Sequence, residues 1–238
     1  MLCVLSAYEL IETQSQVLLQ HDLKPGRALV IGCGPIGILH SLILLERGFE
    51  VCLMDTLPKR AELAQWCLHD RVQLFNEDEA SENFDLVMVT ASSSEAIRTG
   101  ETVVRNGGIV YLFAGLNAAD RSSMDRENLF FYERLHRTAK GVLTTARLTD
   151  ASKVVFYLGH SGYFEGLAHQ AIKAVVMHAA SLDRAVTGII PGLSSSQILS
   201  RLPGGSDWTT ENDAPALISI LEGSNLRDRH CKLLIVPR

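Results

Sequence analysis

The chain has 238 residues, 47% of them hydrophobic, which is material for a sizeable core in one or two domains. Its formal net charge is −5, the sequence pI is near 5.9 and no basic block stands out, so nucleic acid is not expected as a partner. The five cysteines (Cys3, Cys33, Cys52, Cys67, Cys231) are scattered and never form a CxxC pair, which reads as reduced thiols rather than a structural zinc knuckle.

Met1 to Leu10 lacks the basic start of a signal peptide and already carries Glu9. Ala28 to Leu45 is apolar enough to mimic a membrane span, but three glycines, a proline and His40 interrupt it. The expectation is a soluble cytoplasmic protein with no membrane partner.

In chain order, Ser6 to Gln20 reads as a helix, and Leu23-Lys24-Pro25-Gly26 as a turn into a first strand, Ala28 to Ile31. That strand ends in Gly32-Cys33-Gly34-Pro35-Ile36-Gly37. An apolar segment at helical spacing (Ile38, Leu42, Leu45) follows and stops at Gly48. A second strand, Val51 to Met54, ends on Asp55. Strand, glycine turn, helix, strand and acid, in that order, form the dinucleotide-binding fingerprint in its required context.

Each position has a physical task. Gly32 permits a tight turn, Gly34 lets the backbone approach a pyrophosphate, and Gly37 lets the helix lie close on the strand. Pro35 suits the first helical turn, and with Ile36 it leads the helix whose unpaired N–H groups face the phosphates. Asp55 is placed to accept hydrogen bonds from both hydroxyls of an adenosine ribose. Its charge opposes a 2′-phosphate, which favours NAD over NADP, although Lys59 and Arg60 lie near enough to temper that preference. A methyltransferase also uses a glycine turn and an acid, but Leu29-Val30-Ile31 lacks the acidic residue such enzymes place just before the turn.

Beyond Asp55, Pro58 to about Leu68 reads as a helix, Val72 to Phe75 as a short strand, Phe84 to Thr90 as a buried strand, and Ser94 to Arg105 as a helix. Asn106-Gly107-Gly108 is expected to turn the chain into a fifth strand, Ile109 to Ala114. The alternation predicts an α/β fold, a doubly wound parallel sheet (Rossmann type) with a short C-terminal α/β extension. Ligands bind such sheets beyond the carboxyl ends of the strands, which adds Thr90, Ala114 and Gly115 to the cofactor-binding candidates.

Further on, Asn117 to Arg126 reads as a polar stretch and Asn128 to Leu135 as a helix. Thr138 to Thr145 is expected as a sixth strand, and Thr149 to Leu158 and Phe164 to Ala179 as helices. Ala185 to Ile190 reads as a strand, Ser194 to Leu202 as a short helix and Pro203 to Asp213 as an insertion. Ala214 to Leu221 reads as a helix and Lys232 to Val236 as the last strand. The expected organisation is a helical lead-in (1–22), a dinucleotide-binding domain (23–148) and a C-terminal segment packed on it (149–238).

The chain resembles the medium-chain dehydrogenase/reductase family, the zinc-type alcohol and polyol dehydrogenases. The likeness rests on Lys24-Pro25-Gly26-Arg27 leading into Val30 to Gly37, on Asp55 with Lys59 and Arg60 behind it, on Asn106 to Val110, and on Lys232 to Pro237. It is strongest from Leu23 to Gly115. The resemblance implies a nicotinamide cofactor and hydride transfer with a small hydroxylated or carbonyl substrate.

Members of that family begin with a domain that carries a catalytic zinc. This chain starts almost where that domain hands over, with Cys3 near the position of the last zinc ligand. A catalytic zinc needs three protein ligands, and no recognisable set is present, so no zinc is expected.

His136, His160 and Tyr163 are then the candidates for a proton donor. Tyr132, Glu133 and His136 share a helix at spacings that gather them near one face. His160, Ser161 and Tyr163 sit in a glycine-bounded turn. A solvated helix face and a tight turn are the plainer accounts of the two groups.

Two other readings stay open: a cofactor-binding subunit or non-catalytic remnant that needs a partner chain, and a lyase or isomerase that uses bound NAD transiently. A homodimer is expected, formed by edge pairing through the late strands Ile109 to Ala114 or Lys140 to Thr145.

Overall fold

The computed structural model describes residues 1–19, 24–76, 84–137, 143–149, 153–159, 164–185, 188–190 and 233–235. The expected elements at Ser194–Leu202, Pro203–Asp213 and Ala214–Leu221, and the turn at His160 to Tyr163, lie outside these residues.

The chain opens with α1 (Leu2–Leu19), followed by β1 (Arg27–Ile31), α2 (Pro35–Glu46), β2 (Glu50–Met54), α3 (Pro58–Cys67) and β3 (Gln73–Leu74). β4 (Phe84–Val89), α4 (Ser94–Val103), β5 (Val104–Leu112), α5 (Ala118–Ser123) and α6 (Arg126–Arg137) come next. The described chain ends with β6 (Leu143–Leu148), β7 (Val154–Gly159), a 3₁₀ turn at Glu165–Leu167, α7 (Ala168–Met177), α8 (Ala179–Ala185), β8 (Gly188–Ile190) and β9 (Leu233–Ile235).

Seven strands form one sheet in the order β3-β2-β1-β4-β5-β7-β6, and all neighbours are parallel except the edge pair β6 and β7. The order reverses between β1 and β4, which opens a crevice at the carboxyl ends of those two strands. This is the doubly wound sheet expected from the sequence. β8 and β9 pair parallel in a separate two-stranded sheet.

The central strands are buried on both faces, as parallel strands covered by helices must be. Ala28, Val30, Leu86, Met88, Ile109 and Tyr111 point into a core shared with α1, α2, α3 and α7. Leu29, Ile31, Val87, Val89, Val110 and Tyr157 point into a second core with α4 and α6. α2 is apolar nearly all round because it is sandwiched: its Ile38, Leu42, Ile43 and Leu44 are buried between the sheet and α1.

Several expectations are corrected. The helix expected over Thr149 to Leu158 gives way to a strand over Val154–Gly159, β7, parallel to β5, so the sheet runs on past residue 148. A run such as Val154-Val155-Phe156-Tyr157-Leu158 lacks alternation when both faces are covered, and periodicity alone cannot tell it from a buried helix.

β5 begins at Val104, not Ile109, and Asn106-Gly107-Gly108 lies inside it as a bulge. Phe84 pairs with Val104 and Leu86 with Ile109, so the extra residues loop out, with Gly107 at φ +73°. β5 is interior and β6 is the edge, which removes Ile109 to Ala114 as a surface for pairing between copies. The polar stretch after Asn117 contains α5, capped by the Asn117 side chain on the Asp120 amide. Phe164 to Ala179 is divided among the 3₁₀ turn, α7 and the start of α8. Among the described residues, no helix is long and apolar enough to cross a membrane.

Candidate functional site

The crevice is built around the turn from β1 into α2. Gly32 takes φ +103°, and its N–H donates to the Met54 carbonyl at 2.8 Å, which ties the turn to the neighbouring strand. A Cβ at Gly32 would meet Thr90 Oγ1 at 2.8 Å and the Ala91 amide nitrogen at 2.9 Å. A Cβ at Gly37 would sit 1.9 Å from the Gly32 carbonyl oxygen, so only glycine lets α2 approach this closely. Gly34 is the opposite case: nothing lies within 4 Å of its would-be Cβ. The backbone there faces open space in front of the helix.

α2 begins on Gly34 with Pro35 in its first turn and no side chain capping its amides. Its N-terminal N–H groups and the helix dipole therefore face the crevice, the arrangement that receives a phosphate. Ile36, 38% exposed, stands at the mouth.

Asp55 closes the other side. Its Oδ2 accepts the Cys33 amide at 2.8 Å and its Oδ1 the Leu57 amide at 3.0 Å, so the carboxylate is held against the glycine turn. Arg60 Nη1 lies 3.8 Å from Oδ2. The Asp55 side chain is 6% exposed, so the two amides and Arg60 hold the carboxylate at the inner wall of the crevice.

The strand ends contribute differently from one another. Thr90 is a brace: its hydroxyl donates to the Gly32 carbonyl at 2.8 Å and lies 3.0 Å from that of Ile31. That contact supports the turn from beneath. Ala114 and Gly115 are half-buried at the end of β5, beside a small cavity shared with Arg121, Tyr132 and Glu133.

The loops after β4 and β5 are tied together. Asp120 accepts the Ser94 amide and hydroxyl, at 2.8 and 2.9 Å, and Asn117 Nδ2 donates to the Ser92 carbonyl at 2.7 Å. The Ser-Ser and Asn-Ala-Ala-Asp stretches were readable only as polar loops.

Of the proton-donor candidates, His136 lies in the last turn of α6, while His160 and Tyr163 fall outside the described residues. Tyr132 and Glu133 both line the small cavity beside Gly115, but they take different partners. Tyr132 is buried and donates to Glu101 at 2.8 Å, while Glu133 pairs with Arg121 at 3.3 Å. Tyr157 donates to the same Glu101 oxygen at 2.7 Å. The only hint of this network in the sequence is the polar spacing of Ser94, Arg98 and Glu101 along α4.

Among the described residues, no three His, Cys, Asp or Glu side chains gather into a metal site. Cys3 is an exposed free cysteine on α1.

Solved structures share this fold. An alcohol dehydrogenase from Thermotoga maritima superposes with a TM-score of 0.59 over 99% of this chain and 54% of its own, at 12% identity. L-idonate 5-dehydrogenase from Escherichia coli gives 0.59 over 99% and 54%, at 13% identity. The chain shares its fold with these dehydrogenases.

A putative zinc-binding dehydrogenase from Sinorhizobium meliloti, solved bound to NADP, matches with a TM-score of 0.59 over 99% of this chain and 56% of its own, at 16% identity. In sequence, the chain is 31% identical to the glucose 1-dehydrogenase of Methanocella arvoryzae over 107 residues, 42% of this chain and 30% of that enzyme. No protein-family model matches. The chain thus spans about half the length of these solved dehydrogenases and under a third of the curated relative it matches.

Proposed function

We propose that the chain binds a nicotinamide dinucleotide, NAD(H) in preference to NADP(H), and serves as a dehydrogenase-type oxidoreductase on a small hydroxylated or carbonyl metabolite without a catalytic zinc. The observation that carries this reading is the pairing of an open Gly34 backbone at the α2 N-terminus with the Asp55 carboxylate fixed beside it. Pyrophosphate fits the amides of Gly34, Ile36 and Gly37, and the Asp55 carboxylate accepts the ribose hydroxyls. A solved neighbour bound to NADP and another complexed with NADH support a cofactor of this class.

The bound cofactor supplies the hydride chemistry. Thr90 keeps the turn in shape, and Ala114 and Gly115 leave the end of β5 low. His136, His160 or Tyr163 supplies the proton. The Asp55 charge favours NAD, and Arg60 beside it reduces the margin.

Titration with NADH, read by the change in its fluorescence, tests the reading. Binding that weakens sharply in Asp55→Ala supports it, and no binding at millimolar cofactor rejects it. The second reading is a cofactor-binding unit that needs a partner chain. It is distinguished by NADH binding with no turnover until a chain bearing a metal-ligand set is added.

We also propose a homodimer in the cytoplasm, joined along the β6 edge, where Leu148 is 66% exposed.

A further inference from the structure

On the α4 and α6 side of the sheet, a polar groove of about 490 Å³ runs between α4, α5, α6 and the β6 edge. Its floor is Glu101, whose Oε1 accepts both the Tyr132 and the Tyr157 hydroxyls. Oε1 is thereby saturated, while Oε2 accepts nothing from the described residues.

The other acids of the groove are already committed. Asp120 takes the Ser94 amide and hydroxyl and the Asn117 side-chain amide, and Asp125 takes the Asn128 amide and side chain.

Arg147 is in the contrary position. Its Nη1 donates to Asn128 Oδ1 at 2.6 Å and its guanidinium lies 5.1 Å over the Phe131 ring, both neutral partners. Among the described residues it forms no ion pair. A guanidinium carries five N–H donors, so several remain for a ligand. Arg98 stands on the same wall, paired with Glu95 at the exposed rim, where water screens the pair.

A half-buried cation with donors to spare, in one groove with a carboxylate oxygen that has room to accept, suits a molecule with an acid group at one end and a hydroxyl at the other. We propose that this groove binds a small hydroxylated organic anion, its acid group on Arg147 and a hydroxyl donating to Glu101 Oε2. The acid group is a carboxylate or a phosphate ester, since both match the guanidinium fork. The groove shares none of Gly32 to Gly37 or Asp55, so the inference stands apart from the cofactor reading.

Calorimetric titration of the full chain with glycerate, glycerol 3-phosphate, glycerol and inorganic phosphate tests it. Binding of glycerate or glycerol 3-phosphate at millimolar concentration or below is expected, with none by glycerol, and which of the two binds identifies the acid group. Arg147→Gln is expected to weaken that binding about tenfold or more, while Arg126→Gln, a surface guanidinium on α6 outside the groove, leaves it unchanged.

Silence from both hydroxylated anions overturns the proposal. Equal loss in the two variants, displacement by NADH, or inorganic phosphate binding as tightly as glycerol 3-phosphate also overturns it. Should Arg147→Gln fail to fold, the wild-type comparison of the four probes and the NADH displacement still decide.

Discussion

The Cys33 amide donates to Asp55 Oδ2 at 2.8 Å, and that bond joins the two halves of the crevice. It fixes a carboxylate at the end of β2 relative to a turn at the end of β1. Asp55→Ala removes both this brace and the charge that the proposed ribose contact requires. Hydrogen bonds to a charged group are worth about 1.5–3 kcal/mol, so NADH affinity is expected to fall about 10- to 100-fold in a fluorescence titration. Asp55→Asn keeps an acceptor and is expected to lose less.

Gly34 and Gly37 are predicted to fail in different ways. Gly34→Ala places a methyl where nothing lies within 4 Å, so a urea midpoint close to wild type is expected, with loss of cofactor binding. Gly37→Ala drives a methyl to 1.9 Å from the Gly32 carbonyl, and overpacking of this kind costs about 1–3 kcal/mol. Denaturant unfolding of the two variants beside their NADH titrations separates a ligand cradle from a packing contact.

Thr90→Val retains the shape of the side chain and deletes the hydroxyl bonded to Gly32 and Ile31. The loss leaves the Gly32 carbonyl short of a donor and is expected to cost about 1 kcal/mol in stability. A lower urea midpoint with a modestly weaker NADH affinity is the anticipated result. An unchanged midpoint would remove Thr90 as the brace of the turn.

The tyrosine pair on Glu101 has a pH signature. Burial first, and then the Glu101 charge and hydrogen bond, hold the Tyr132 and Tyr157 hydroxyls well above the ordinary phenol range. A group whose folded value is raised contributes stability that is complete below its unfolded value. That contribution is lost as pH climbs toward the folded one. The unfolded phenols ionise near pH 10, so the thermal midpoint is expected to fall as pH rises through and above about 10. Tyr157→Phe, which removes one of the phenols, is expected to flatten that alkaline slope. A slope identical to wild type would contradict the assignment.

For the β6 edge, light scattering at micromolar concentration is expected to show a dimer that Leu148→Asp converts to monomer. A wild-type monomer at that concentration would count against pairing along this strand.

Much of the cofactor end was legible in the chain itself. The stretch from Arg27 to Asp55 carries local instructions: branched residues for strands, glycines where a Cβ would collide, and a proline where a missing N–H costs nothing. Each of these constraints acts within a few residues, and the strands, the turn and the helix sit where the sequence puts them. The acid at position 55 is likewise identified by its spacing.

Tertiary structure decided what depended on distant partners. Val154 to Gly159 is a strand because β5 offers it an open edge, and Asn106 to Gly108 is a bulge because β4 sets the register. Thr90 braces Gly32 from 58 residues away, and Tyr132 and Tyr157 meet on Glu101 across separations of 31 and 56. Sequence alone determined the alternation of strand and helix and the position of the glycine turn, because steric and hydrophobic preferences are local. The order of the strands and the partner of each polar side chain belong to the folded molecule, since they arise only when remote segments are brought into contact.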